Sequence, residues 1–289
     1  MSPSLRRALF TGGAIVFFVA LAGATYQGVA TALERRQFPH PGRLVDVGGH
    51  QLHIYCEGNG APTVVLEAPA TAMSSAWAWV QADVAKMTRV CSYDRAGLGW
   101  SEAGDAPFTP EAVPTELNAL LHGAEEHAPY LLAGAELGAA YASLYASRYQ
   151  ADTVALVLVD PPDLFGSNRR STAATRFLMV SPWLARTGVL RATRTLTNSA
   201  AGLPQPAAGA LKAFLNRPDH LTRAARELSR WGDTVAMADA APQRQTLPVT
   251  QVVLEGSDRV ALLADRKDAQ DVAMAISRAV AVWRARQPR

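Results

Sequence analysis

Cysteine is nearly absent: the 289-residue chain has two, Cys56 and Cys91, too few for a fold held by a disulfide framework. There is no internal repeat and no low-complexity tract, which excludes a solenoid and removes any default to disorder. Charge is scarce as well, at 18% of residues, and the formal net charge is only +3 although the pI is near 9. Aromatic residues make up 7% and do not interleave with basic ones as on nucleic-acid surfaces, so nucleic acid is not an expected partner. An apolar fraction of 49% over this length is ample for one large α/β domain with a small insertion.

Charge is missing altogether from residues 8–26, a run rich in Gly and Ala with Val16, Phe17 and Phe18 at its centre and Arg6 and Arg7 before it. About 20 such residues span the hydrocarbon of a bilayer as a helix. A cleaved signal peptide is the competing reading, because Ala22-Gly23-Ala24 resembles a small-residue cleavage site. Apolar and small residues continue to Leu33 before Glu34-Arg35-Arg36, which favours a retained, single-pass anchor contacting membrane lipid through residues 8–26. Arg6 and Arg7 place the N-terminus in the cytoplasm and the globular part on the periplasmic or other extracytoplasmic side, against the weaker counter-signal of Arg35, Arg36 and Arg43.

Beyond a linker at Phe38-Pro39-His40-Pro41-Gly42, residues 44–47 and 51–56 alternate around Gly48-Gly49 and predict a β-hairpin. Short apolar strands are expected at 63–66, 89–93, 130–133 and 154–159, with helices at 77–87 and 115–126. Strands alternating with helices imply a mostly parallel sheet covered on both faces. The strand rhythm stops after Pro162, and residues 163–246 read as a helical cap broken at Pro182, Pro204 and Pro218. The cap is rich in arginine, including Arg169, Arg170, Arg186, Arg217, Arg223 and Arg226; a solvated face is the simple explanation, and a patch for anionic headgroups or an acidic partner is the sharper one. Leu178, Val180, Trp183, Leu184, Val189 and Leu190 are assigned to the cap's own core. A strand at 249–254 and a helix at 267–284 close the chain. The expected organisation is therefore an anchor and juxtamembrane segment at 1–36, a first core part at 37–162, the cap, and a second core part at 247–289.

Gly134-Ala135-Glu136-Leu137-Gly138 has the glycine frame of a nucleophile elbow, the Gly-x-Ser-x-Gly turn between a strand and a helix, with glutamate in place of serine. A serine there loses its proton to a base, whereas a glutamate is already ionised and a poor acyl acceptor.

Pro41-Gly42-Arg43-Leu44-Val45-Asp46-Val47-Gly48-Gly49, Leu52-His53-Ile54-Tyr55-Cys56, Val90-Cys91-Ser92-Tyr93-Asp94-Arg95-Ala96-Gly97-Leu98-Gly99-Trp100-Ser101 and Leu156-Val157-Leu158-Val159-Asp160 resemble a bacterial membrane-anchored branch of the α/β-hydrolase superfamily. The resemblance is close over about residues 40–165 and loose elsewhere. It implies the α/β-hydrolase fold. It also puts Cys56 and Cys91 on neighbouring antiparallel strands and so implies a disulfide between them. Hydrolysis by this fold requires a serine, a histidine base, an orienting acid and two oxyanion amides. Against that pattern, Ala135-Glu136 replaces the usual His-Ser. Glu67-Ala68-Pro69-Ala70 replaces a glycine-containing oxyanion loop, and Pro69 has no amide hydrogen. The catalytic base should follow the last strand, yet no histidine occurs after His220. His40, His50, His53, His122, His127 and His220 are each read as surface or structurally satisfied residues. Asp258 remains as a candidate acid without a base. Only about five residues separate Leu254 from the apolar stretch 260–263, too few for a parallel crossover, so the final strand of the fold is expected to be missing and 260–263 to be an inward-packing loop or a short turn-back.

Three functions compete. The leading one is a pseudoenzyme: a hydrolase-fold binding or assembly subunit of a membrane complex, with a protein partner and no cofactor or metal. The alternative is an atypical hydrolase using Glu136 as carboxylate nucleophile on an ester or related small substrate. The third is an acidic site formed by Glu136 and Glu67, set against a simple interaction of Glu136 with the amides and dipole at the following helix start.

Overall fold

The computed structural model describes residues 2–162, 172–241, 247–254 and 263–287. The first element is a helix, α1 (Pro3–Gln37), capped by the Ser2 side chain, which accepts from Leu5 N, and opened by a proline in its first turn. Pro39 and Pro41 lie just past its end, where neither can extend it. At 1.5 Å per residue it is roughly 50 Å long, beyond the ~30 Å of a bilayer's hydrocarbon, and it is long and apolar enough to cross a membrane.

The hairpin expected from sequence forms as β1 (Arg43–Asp46) and β2 (Gln51–Glu57), and the Asp46 carboxylate accepts from Gly48 N at 2.7 Å and Gly49 N at 3.1 Å to fix the turn. The remaining strands are β3 (Thr63–Glu67), β4 (Val90–Tyr93), β5 (Tyr130–Ala135), β6 (Thr153–Val159) and β7 (Val249–Val252). Their spatial order is β1-β2-β4-β3-β5-β6-β7, with β2 antiparallel to β1 and β4 and the other pairs parallel. Among the described residues the sheet ends at β7, and no strand follows it. Residues 260–262 of the expected turn-back lie outside the described residues, while Leu263 is buried in the core.

Helices cover both faces because the strands carry apolar side chains on both. On one face Val64, Leu66, Leu131, Ala133 and Val157 pack against α2 (Ala78–Val84) and the final helix α10 (Arg266–Ala285). On the other, Val65, Cys91, Leu132, Leu156 and Leu158 meet α3 (Ala112–Gly123) and α4 (Leu137–Arg148). The helix expected at 77–87 is shorter than its pattern, a 3₁₀ turn over Ser74–Trp77 followed by α2.

Between β6 and β7 the described chain is helical: α5 (Thr172–Arg186), α6 (Val189–Thr193), α7 (Ala207–Phe214), α8 (Pro218–Ser229) and α9 (Trp231–Asp239). Arg169, Arg170 and Asp258 lie outside the described residues. One expectation for this layer is corrected. Leu178 and Leu190 are buried, but Val180, Trp183 and Val189 are 50%, 72% and 46% exposed, so half of the stripe assigned to the cap core faces outward. The periodicity marks an apolar helix face without saying what covers it.

Cys56 and Cys91 face each other in the β2–β4 register with Cα atoms 4.0 Å apart and are joined as a disulfide. The only grouping of potential metal ligands found among the described residues, these two cysteines with Glu126, is committed elsewhere: the sulfurs to the disulfide and the carboxylate to Arg89 at 2.6 Å. Thiol titration of the unreduced, denatured protein should find no free thiol. Replacing both cysteines by alanine should lower stability by about 2–4 kcal/mol in denaturant unfolding, as expected for opening a loop of this size. Two reactive thiols would contradict the pairing.

Candidate functional site

The elbow is built by β5 running into α4. Glu136 occupies the turn between them at φ 51°, ψ −121°, a conformation that costs a residue with a side chain roughly 1–3 kcal/mol. Its backbone is pinned on both sides: its amide donates to Val159 O at 2.9 Å and its carbonyl accepts from Ala139 N at 2.9 Å. The flanking glycines are required by close approach. A Cβ at Gly134 would collide with the Gly138 carbonyl, and one at Gly138 with the carbonyls of Glu67 and Ala68. Ala135 and Leu137 are fully buried, so the central residue alone carries the polar chemistry of the turn.

The Glu136 carboxylate is buried and accepts from the amide of Ala70 at 3.1 Å. Two expectations change as a result. The loop after β3 does direct an amide toward the elbow despite Pro69, because the residue after the proline supplies it. Moreover, the carboxylate makes no side-chain cap bond to α4; its acceptor role is filled across the site by the β3 loop.

Pro69 contributes a carbonyl instead, which accepts from Arg95 Nη2 at 3.2 Å. Arg95 follows β4 and is buried, and its guanidinium spans three elements. Nη1 bonds Glu67 at 2.6 Å and the Ala68 carbonyl at 2.7 Å, while Nε and Nη2 form a two-point pair with Glu227 of α8 at 2.9 Å each. Its face lies 5.2 Å from the Tyr141 ring centroid. Glu67 also accepts from the Tyr93 hydroxyl. Burial pushes the Glu67 carboxyl up against the pull of Arg95; burial opposes ionisation of Glu227 too, but Arg95 and Arg223 together hold that carboxyl below its usual range. The acidic pair envisaged between Glu136 and Glu67 is thus divided, with Glu67 committed to Arg95 and Tyr93 and Glu136 to the loop amide.

A second buried polar cluster was not legible in the sequence. His53 Nδ1 lies 3.0 Å from Asp94, whose carboxylate also accepts from Ser74 N at 2.6 Å and Trp100 N at 2.9 Å. Ser74 Oγ is 3.5 Å from the same Nδ1, and His53 Nε2 donates to Pro41 O at 2.8 Å. Serine, histidine and aspartate are all present, but a working triad places acid and nucleophile on opposite ring nitrogens. Here both are on Nδ1 and the linker carbonyl takes Nε2, which makes the cluster a tie between β2, the loop after β4 and the linker. His220 is likewise satisfied: Nδ1 accepts from Gly99 N at 3.1 Å, Nε2 donates to Thr71 O at 3.0 Å, and burial lowers its pKa, which keeps the ring neutral.

Among the described residues, two clefts are formed without Glu136. One, of about 480 Å³, lies beside the linker against Trp100, Tyr55 and Ser75. The other, of about 790 Å³, lies between the core and the arginine-rich cap.

The His53–Asp94 pair sets a pH dependence. Burial disfavours the imidazolium, but Asp94 outweighs it and raises the His53 pKa above 6.5. A raised folded-state pKa gives stability that is complete below about pH 6.5 and is lost as pH rises through the folded value. Melting temperature should therefore decline from pH 6 to pH 9. His53→Asn should remove that decline and cost about 2 kcal/mol at pH 6. Parallel melting curves for the two proteins across this range would contradict the pairing.

No family model matches the chain. Over 105 residues it is 33% identical to the uncharacterized protein YqjL of Bacillus subtilis (strain 168), covering 36% of this chain and 42% of that one. The chain spans less than half the length of the curated relatives it matches. Among solved structures it is similar to the epoxide hydrolase CorEH, at 16% identity and a TM-score of 0.61 over 81% of this chain and 96% of that one. It is also similar to the haloalkane dehalogenase DatA of Agrobacterium tumefaciens C58, at 18% identity and a TM-score of 0.61 over 84% and 96%. Sheet order, elbow and helical layer agree with these likenesses: the chain has the α/β-hydrolase fold.

Proposed function

We propose that this protein is a membrane-anchored α/β-hydrolase-fold subunit that has given up hydrolysis and serves as a binding or assembly module in a membrane complex. The observation that carries the reading is the bond from Ala70 N to the Glu136 carboxylate, by which the residue at the elbow occupies the amide an oxyanion would need. Two further features support it. No histidine follows His220, and His220 itself has both ring nitrogens engaged with backbone. In this reading α1 is the retained anchor, residues 8–26 meet lipid, and the globular part lies on the extracytoplasmic side, where a disulfide persists. The protein partner is one that stays with the chain in detergent.

A second reading is kept because Glu136 sits on the strained turn that presents nucleophiles. There the carboxylate would attack carbon, displace a leaving group and form an ester that water must then cleave. The structural neighbours, an epoxide hydrolase and a haloalkane dehalogenase, supply the substrates for the test. The full-length protein in detergent is expected to show no turnover of generic esters, epoxides or haloalkanes above the uncatalysed rate and no covalent adduct by intact mass. It should also co-purify with a stoichiometric membrane protein from its native source. Turnover or an adduct that disappears in Glu136→Ala would overturn the reading in favour of a carboxylate nucleophile.

A further inference from the structure

The arginine-lined cleft between core and cap has a feature that a solvated surface lacks. Arg217 is only 5% exposed, yet its Nε and Nη2 have no hydrogen-bond partner, and Arg223 likewise leaves Nη2 unpartnered. Both side chains line the 790 Å³ cleft together with Arg35, Arg186 and Arg226. Each of the two lies against an aromatic ring, Arg217 at 3.7 Å from the Phe214 centroid and Arg223 at 4.0 Å from that of Phe108; Arg223 also donates Nε to Glu227 at 3.0 Å, which leaves its Nη2 for a ligand. Burial, with Arg35 and Arg191 nearby, pushes the Arg217 pKa down to about 10, only partly offset by Asp219. The acidic groups on the cleft wall have other close partners, Glu102 accepting from Gln51 N, Asp219 from His220 N, and Glu116 lying 3.8 Å from His50, although Asp219 also acts on Arg217 and Glu116 on Arg223 through charge. Asp105 completes the acidic side.

The position of the cleft narrows its ligand. The second half of α1 is docked on the cap: the backbone of Gly23 abuts the Thr187 carbonyl, Gln27 donates to Asn216 O at 2.7 Å, and Arg191 bonds Gln27 and Glu34. On its other side α1 stays apolar and exposed through Val29 and Leu33, and Arg35 enters the cleft immediately after. Gly188, between α5 and α6, also lies against Gly23; these two helices expose Met179, Val180, Trp183 and Val189, and Arg186, which lines the cleft, stacks over Trp183 at 5.2 Å. Exposed aromatic and apolar side chains beside cleft arginines, on a layer docked against a helix long and apolar enough to cross a membrane, are the composition of a bilayer interface.

We propose that this cleft binds the phosphate of an anionic phospholipid headgroup, with Arg217 as its buried anchor, Arg223 as a second donor, and the Trp183 face dipping into the same leaflet. Guanidinium donors pair with phosphate oxygens through charge-assisted, two-point bonds, and here the donors are already oriented and partly dehydrated. The inference rests on α1 being a retained anchor and is independent of whether the elbow is catalytic.

The full-length protein, purified in a neutral detergent, tests it by native mass spectrometry and thermal melting with added phosphatidylglycerol, phosphatidylcholine or inorganic phosphate. Phosphatidylglycerol should remain bound and raise the melting temperature, phosphatidylcholine should not, and inorganic phosphate should act only weakly. Arg217→Gln should reduce retained phosphatidylglycerol by about tenfold or more, the loss expected for charge-assisted bonds. The same substitution should raise the melting temperature without lipid, because it removes a buried, unpaired cation. Arg217→Lys, which keeps the charge but not the two-point geometry, should bind lipid at an intermediate level. If inorganic phosphate matches the lipid, the site serves a soluble ligand and the lipid assignment is wrong. If Arg217→Gln destabilises the lipid-free protein and leaves lipid retention unchanged, Arg217 is a structural partner of Glu34, whose Oε2 is also unpartnered, and the proposal fails. Release of the protein from membranes by alkaline carbonate would remove the anchor and this site together; a membrane-retained protein without bound phosphatidylglycerol would remove the site alone.

Discussion

The pairing of Arg95 with Glu67 and Glu227 is the contact on which the arrangement of the site depends. One buried guanidinium ties the end of β3, the loop after β4 and helix α8 of the cap, and it also holds the carbonyls of Ala68 and Pro69. Buried ion pairs add little net stability, since desolvation offsets most of the attraction, but breaking one leaves an uncompensated charge and costs several kcal/mol. The value of this cluster is therefore geometric. It fixes the short segment from Glu67 to Ala70, and with it the direction of the Ala70 amide that meets Glu136. It also locks the cap onto the core above the elbow.

With that loop fixed, the elbow is held by interlocking interactions. The glycines at 134 and 138 allow strand and helix to approach, the strained backbone of Glu136 is held by Val159 and Ala139, and the carboxylate is held by Ala70. Strain at such a turn usually serves to present a nucleophile. Here the same geometry aims a carboxylate at a backbone donor. A hydrolase-like architecture does not by itself imply hydrolysis.

Much of this was legible in the sequence, for identifiable reasons. The strands announce themselves because each is buried on both faces and so reads as a short apolar run, as in Val64, Val65 and Leu66 or Val157, Leu158 and Val159. The elbow is legible because its glycines answer a steric demand that no other residue meets. The disulfide came through resemblance to a fold in which those strands are neighbours. What the sequence hid are the contacts between distant segments. Arg95 and Glu227 are 132 residues apart, and nothing local marks either as the other's partner. His53 and Asp94 are hidden in the same way, as is the amide that Ala70 supplies beside a proline. The apolar stripe of the cap was visible but not its exposure, because helical periodicity records a face and not its cover. Asp258, the remaining candidate acid, lies outside the described residues.

The N-terminal helix and the cap form one unit, joined through Gly23, Gln27 and Arg191, and the cap in turn is clamped to the core through Arg95. The long apolar helix is thereby linked through the cap to the loop that meets the elbow. The claim at the centre of this account is that Glu136 is a structural acceptor for the Ala70 amide. Hydrogen exchange followed by mass spectrometry on the peptide spanning residues 68–72, in the full-length protein and in Glu136→Ala, tests it most directly. The account requires slow exchange at Ala70 in the native protein and markedly faster exchange in the variant, with the α4 peptide unchanged; equal exchange in the two proteins would contradict it.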